Sequence, residues 1–267
     1  MRIAIIDLGT NTFNLLVAER AADGGLHILH SAERPVFLGK GGIEKGVIAE
    51  DAFARGMEAL AAHREAALAH GAERILGFGT SALRNAHNAP DFVREALDRF
   101  SIAITVVPGG EEAALILDGV RQAVPFGDRP HLVMDIGGGS IEFILATGSA
   151  LLWKQSFELG VTRLRERFPA PDPLPADAEL RIATHLDEHL GPLWTVTEHH
   201  RPHTLIGSAG SFDTLAAMLA AKTGRTLSDE EASLTFPLDA FDELKERLLR
   251  LPADERAQLP GIPPHRV

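Results

Sequence analysis

The chain has 267 residues, enough for one large domain or two ordinary ones, and its 45% hydrophobic and 24% charged residues exclude a disordered polymer. It contains no cysteine, which excludes disulfides, thiolate metal sites and a cysteine nucleophile and fits a reducing compartment. A formal net charge of −11 argues against a broad nucleic-acid footprint, so a polyanionic substrate would need local basic residues or metal ions to offset the field.

The opening Met1-Arg2-Ile3-Ala4-Ile5-Ile6-Asp7 lacks the longer apolar stretch and small-residue cleavage site of a signal peptide. No apolar run approaches a membrane span, so a cytoplasmic protein without a membrane partner is expected. The opening reads instead as a strand, Arg2 to Asp7, followed by strands Thr12 to Arg20 and Leu26 to Pro35 with the hairpin signal Asp23-Gly24-Gly25 between them. An Ala-rich helix spans about Glu50 to His70 and is stopped by Gly71. Then come strand Arg74 to Thr80, a helix opening near Pro90-Asp91, and strand Ile102 to Val107. After the tight loop Pro108-Gly109-Gly110, a helix runs from Glu111-Glu112 to about Val124.

Pro125 to Pro130 reads as a linker, and the opening pattern then recurs. Strands are expected at His131 to Ile136, Ile141 to Thr147 and Ala150 to Glu158, with Gly148-Ser149 as the turn. A repeat of this size implies two similar domains, 1–124 and 125–267, in the α/β class. The remainder reads as helices at Arg163 to Phe168, Ala176 to Leu190, Phe212 to Lys222 and Asp239 to Leu251. One further strand, Thr204 to Ser208, precedes Gly210-Ser211.

Four constellations carry chemistry. In Asp7-Leu8-Gly9-Thr10-Asn11-Thr12, Gly9 removes the Cβ barrier to a phosphate, Thr10 and Asn11 supply donors, and Asp7 can hold Mg²⁺ directly or through a water; an ordinary hairpin turn is the alternative. In Asp135-Ile136-Gly137-Gly138-Gly139-Ser140-Ile141-Glu142, three consecutive glycines point to close approach of backbone and ligand, with Asp135 and Glu142 able to reach one metal; a flexible structural turn is the alternative. Two such turns on duplicated domains can face each other across a cleft. Pro108 to Glu112 sets glutamates at a helix start, where the dipole favours them regardless of role, or where one could act as general base on a water attacking phosphorus. The loop with Gly207, Ser208 and Gly210 either borders a nucleotide or allows tight strand–helix packing. His185 and His189 on a helix, and the run Glu198 to His203, read as a solvated helix face and loop in preference to a metal site. Arg84, at a strand's end with Thr80 and Ser81, suits bidentate phosphate contact or a surface salt bridge.

Together these residues resemble the exopolyphosphatase / guanosine pentaphosphate phosphohydrolase (Ppx/GppA) family. The blocks that carry the resemblance are Ile6 to Thr12, Gly79 to Asn85, Gly109 to Ala113, Asp135 to Glu142 and Ser156 to Leu164. The resemblance implies two duplicated actin-like (acetate kinase/hsp70/actin superfamily), ribonuclease H-like domains with an interdomain cleft. It implies Mg²⁺-assisted removal of a terminal phosphate from polyphosphate or pppGpp, and a possible homodimer. It places the water-activating base on Glu112, the metal and acidic phosphate positions on Asp7, Asp135 and Glu142, and the phosphate loops on Gly9 to Asn11 and Gly137 to Ser140. It makes Arg84 a candidate phosphate contact. Thr10 replaces a frequent Ser, Ile141 a usual Thr, and Phe37 a common Arg, with Lys40 and Lys45 as nearby cations. Relatives usually continue beyond the position of Val267, and the extra C-terminal domains of longer relatives are not expected. A small-molecule kinase on the same architecture, or a catalytically weak nucleotide or phosphate sensor, are the alternative functions; the Glu-Glu helix start and the Ser-Ala-Leu-Arg block fit hydrolysis better than a kinase, and retention of Asp135, Glu142 and Glu112 argues against a sensor.

Overall fold

A computed structural model describes residues 1–21, 24–228 and 231–267. The first sheet takes β1 (Arg2–Leu8), β2 (Thr12–Arg20), β3 (Leu26–Pro35), β4 (Arg74–Gly79) and β5 (Ala103–Val106) in the order β3-β2-β1-β4-β5. β1–β2 and β2–β3 pair antiparallel, while β1–β4 and β4–β5 pair parallel. The second sheet takes β6 (His131–Ile136), β7 (Ile141–Ala146), β8 (Leu151–Phe157) and β9 (Thr204–Ser208) in the order β8-β7-β6-β9. It repeats the first sheet's order through its fourth strand, which is the duplicated ribonuclease H-like arrangement expected from the sequence. Asp23 of the expected hairpin turn lies outside the described residues; Gly24 adopts φ +90, and β2 and β3 pair as anticipated.

Helices α1 (Glu50–Ala69), α2 (Ser81–Asn85), α3 (Ala89–Phe100), α4 (Gly109–Ala123), α5 (Val161–Arg167), α6 (Ala176–His189), α7 (Gly191–His200), α8 (Gly210–Lys222), α9 (Leu238–Arg250) and α10 (Ala253–Arg256), with 3-10 turns at Ile43–Lys45 and Pro264–Arg266, complete the described elements. α1 ends as its sequence dictates. Gly71 takes φ +75, its N–H donates to Leu68 O at 2.9 Å, and Ala72 N–H donates to Ala67 O at 3.0 Å. That is a Schellman closure, for which glycine has no Cβ penalty. Three helices were not legible in the sequence: α2, α7 and the four-residue α10. α2 is barely one turn, too short for any periodicity to show. α7 contains Pro192, which reads as a breaker, yet proline in a helix's first turn removes no bond that is otherwise made. Glu198, His199 and His200 therefore lie on the last turn of a helix and not in the loop expected.

Two compact units emerge. The first is Met1–Glu112 with Gly137–Ile141 and Glu158–Arg167; the second is Ala113–Ile136, Glu142–Phe157 and Phe168–Val267. They are interleaved along the chain. In the first unit, alternation on β1 and β2 drives Ala4, Ile6, Leu8, Phe13, Leu15 and Val17 into one core with Leu60 of α1 and Phe92 of α3. Phe92 stands edge-on to Phe13 and Phe53, and its ring presses on α1 so closely that a Cβ at Gly56 would come within 2.7 Å of it. In the second unit, Ala113 and Leu117 of α4 pack on Val133, Ile144 and Ala146.

Candidate active site

Both glycine turns have the same closure. Gly9 N–H donates to Thr12 O at 3.0 Å, and Gly137 N–H donates to Ser140 O at 3.0 Å. Both fall in the first unit, where they pack against one another. A Cβ at Gly138 would lie 2.6 Å from Asn11 Oδ1, and one at Gly139 would lie 2.4 Å from Ser81 Oγ and 2.6 Å from Thr10 Oγ1. Gly160 closes the other side, since its Cβ would meet the Gly138 carbonyl carbon at 2.4 Å. The close approach that the sequence reading assigned to a ligand is thus made, at 138 and 139, by the protein's own side chains. At Gly137 a Cβ would meet only Ser140 O, at 3.1 Å. Thr10 and Ser140 are 4% and 3% exposed. The Thr162 hydroxyl donates to Asn11 Oδ1 at 2.6 Å, which leaves the amide N–H₂ of Asn11 as its donor end.

Beside these turns lies a chain of alternating charges. Glu111 and Glu112 open α4, with their N–H groups on Pro108 O at 2.9 and 3.0 Å. Glu111 is exposed, whereas Glu112 turns to Arg84, whose Nη1 donates to Glu112 Oε2 at 2.8 Å and to Val107 O at 3.0 Å. The single turn of α2 puts Ser81 and Arg84 on one face. Arg84 Nη2 reaches Glu158 Oε1 at 3.2 Å, while Ser81 Oγ donates to Glu158 Oε2 at 2.6 Å. Arg163 Nη2 donates to the same Oε2 at 2.9 Å, its Nε to Gly139 O at 3.2 Å, and Glu44 stands 3.6 Å from its Nη1. Arg163 therefore pins the triple-glycine turn. Burial disfavours the Arg84 charge, but Glu112 and Glu158 more than offset it and hold the guanidinium above its ordinary value. Burial likewise pushes Glu158 up, but Ser81, Asn85, Arg84 and Arg163 bring it below its ordinary value.

Glu158, Arg163 and Ser81 had no role in the sequence reading although two of them sit in the block Ser156 to Leu164. Their partners are far along the chain, so only the fold shows what they hold. The signal was the charge pair inside Glu158-Leu159-Gly160-Val161-Thr162-Arg163. Asp7, on β1, accepts from Asn14 Nδ2 at 3.3 Å. A cavity of about 540 Å³ between α1 and α3 is lined by Phe53, Met57, Asn88 and Glu95 among others, and by none of these site residues.

In the second unit, Asp135 of β6 pairs in register with Ser208 of β9. Burial raises the Asp135 carboxyl, a hydrogen bond from the Ser208 side chain lowers it and the Asp213 charge raises it, with a net rise. Glu142, 1% exposed, accepts from Ser156 Oγ at 2.6 Å. A Cβ at Gly207 would overlap the Phe212 ring at 1.9 Å, and one at Gly210 would meet Arg266 Nη2 at 1.9 Å. Tight packing against the Phe212 ring accounts for Gly207, whereas the neighbour at Gly210 is the movable end of an arginine. The Asp135 carboxylate, with the Ser208 hydroxyl beside it, offers the hard oxygen donors that a hard divalent cation takes. A divalent cation would also oppose the burial and the Asp213 charge that raise Asp135, so this residue fits a hard cation such as Mg²⁺.

The model of the Ppx/GppA phosphatase family matches residues 16–267. Exopolyphosphatase 2 of Mycobacterium tuberculosis is 32% identical over 275 residues, covering 100% of this chain and 85% of that protein. The crystal structure of an exopolyphosphatase from Cytophaga hutchinsonii superposes with a TM-score of 0.94 at 38% identity, covering 100% of this chain and 85% of that one. An Aquifex aeolicus member of the Ppx/GppA family, at 24% identity and a TM-score of 0.75 over 100% and 85% of the two chains, shares the fold.

Proposed function

The chain belongs to the Ppx/GppA phosphatase family, and from that premise we propose that it removes the terminal phosphate of inorganic polyphosphate by hydrolysis, with guanosine pentaphosphate as a second substrate of the same chemistry. The observation that carries the reading is the 2.8 Å pair of Arg84 and Glu112, each side chain 17% exposed and so reachable yet shielded. Glu112 sits in the first turn of α4, where the helix dipole favours the ionised carboxylate. A base there takes a proton from water as the water oxygen bonds to the terminal phosphorus. The bond from that phosphorus to the bridging oxygen breaks, and the shortened chain leaves with the electron pair. Arg84, held on its far side by Glu158 and on Nη1 by Val107 O and Glu112, keeps one Nη2–H to offer a phosphoryl oxygen next to the base. The Asn11 amide and the turns Gly9 to Asn11 and Gly137 to Ser140 are the other phosphate contacts in this reading.

Mg²⁺ is the proposed cofactor, and when bound it neutralises charge on the phosphate oxygens. Asp135 is its best-supported ligand, and Asp7 and Glu142 are the other carboxylates proposed to serve it. The names of the Mycobacterium and Cytophaga relatives support polyphosphate as the first substrate to test. Glu112→Gln keeps an acceptor for Arg84 and removes the base. Phosphate release from polyphosphate with Mg²⁺ is expected to fall about 10²- to 10⁴-fold in kcat, with KM little changed. Wild-type turnover in Glu112→Gln would place the base elsewhere.

A further inference from the structure

Helix α6 ends in His185-Leu186-Asp187-Glu188-His189, a stretch that hydrolysis of phosphoanhydrides does not use. Positions 185 and 189 share one helix face a turn apart, and 188 adjoins them on the same side. One nitrogen of each imidazole and a carboxylate oxygen of Glu188 all lie within 4.8 Å of one another. Among the described residues this is the one such group of three.

Two details distinguish the trio from a solvated face. His189 Nδ1 lies 2.7 Å from His185 O, and because a carbonyl only accepts, Nδ1 carries the proton and Nε2 keeps the lone pair. A backbone bond of this kind is the usual way a ligating histidine has its tautomer fixed. The His185 ring in turn packs at a tilt of 60° against Phe168, with centroids 5.2 Å apart, which limits its rotation. His189 is also the last residue of α6, where the carbonyl end of the helix dipole favours a positive charge.

The geometry points to a binding site for a nitrogen-preferring divalent transition ion such as Zn²⁺, held by His185, Glu188 and His189 with water completing the shell. Two imidazoles and one carboxylate match Zn²⁺, Co²⁺, Ni²⁺ or Cu²⁺, and not Mg²⁺ or Ca²⁺, which demand oxygen donors. The site is independent of the phosphatase reading and stands whether or not that reading holds.

The test is calorimetric titration of the metal-free full chain with ZnCl₂, repeated in excess MgCl₂. One Zn²⁺ per chain is expected, undisturbed by Mg²⁺. Affinity should weaken by at least about tenfold in each of His185→Gln, Glu188→Gln and His189→Gln, as loss of one ligand in three requires. The pair His199→Gln/His200→Gln, whose rings also touch at 4.6 Å, serves as the control and should bind as the wild type does. Circular dichroism checks that each variant folds; the α6 variants are partly or wholly exposed and should. No uptake of Zn²⁺, or uptake that survives His185→Gln with His189→Gln, overturns the site, as does loss of binding in the control pair.

Discussion

Glu158 accepts from Ser81, Arg84 and Arg163 together, and so fixes the orientation of the arginine that meets Glu112. Its carboxyl is held below the ordinary value of 4.5 despite the upward push of burial. A depressed carboxyl contributes stability that is complete above its unfolded value and is lost as pH falls through the folded one. Glu158→Gln should therefore lower the urea midpoint at neutral pH and flatten its dependence on pH below about 4.5, a region where the wild type loses stability steeply. An unchanged acid limb would show that the network contributes nothing there. Asp135 has the opposite sign. Its folded value lies above its unfolded value, chiefly through burial, so the ionised carboxylate costs stability once pH has risen past the folded value. In Mg²⁺-free buffer at pH 7, Asp135→Asn should melt at a higher temperature than wild type while losing phosphate release, the trade expected of a group kept for function. A lower melting temperature would contradict it. Sequence reading could place Glu111 and Glu112 at a helix start but not choose between them on residues alone. The choice depends on which side chain faces Arg84, a partner far away in sequence.

Among the elements, the strands were legible because their side chains alternate, as β1 and β2 show with Ala4, Ile6, Leu8, Phe13, Leu15 and Val17 all buried. The turns were legible as glycine patterns, but the reason for each glycine was not. Gly138, Gly139 and Gly160 are required by neighbours that are distant in sequence, and Gly207 by the Phe212 ring. This separates two kinds of substitution. Gly160→Ala sets a Cβ against Gly138 backbone that cannot rotate away, and should cost about 1–3 kcal/mol in a denaturant melt. Gly137→Ala meets only Ser140 O, at 3.1 Å, and should cost less stability than Gly160→Ala. If phosphate approaches the Gly137 backbone, the same variant should nonetheless raise KM for polyphosphate. An unaltered KM in a folded Gly137→Ala protein removes that turn from the phosphate contacts.

For the whole molecule, the repeat seen in the sequence became two sheets of matching strand order, and the family resemblance became membership. No helix among the described residues is long and apolar enough to cross a membrane. What the sequence did not reveal is that both glycine turns belong to one compact unit, because the segments Gly137–Ile141 and Glu158–Arg167 join a unit built otherwise from the first 112 residues. A duplicated pattern shows that two turns are alike and says nothing of which core each one joins. The central claim is that a water molecule, and no sugar or nucleotide hydroxyl, receives the phosphoryl group beside Glu112. The direct measurement is mass spectrometry of phosphate released from polyphosphate with Mg²⁺ in oxygen-18 water. Each released phosphate should carry an oxygen-18 atom, with release suppressed in Glu112→Gln. Unlabelled phosphate, or phosphoryl groups recovered only on an added hydroxyl acceptor, would contradict hydrolysis.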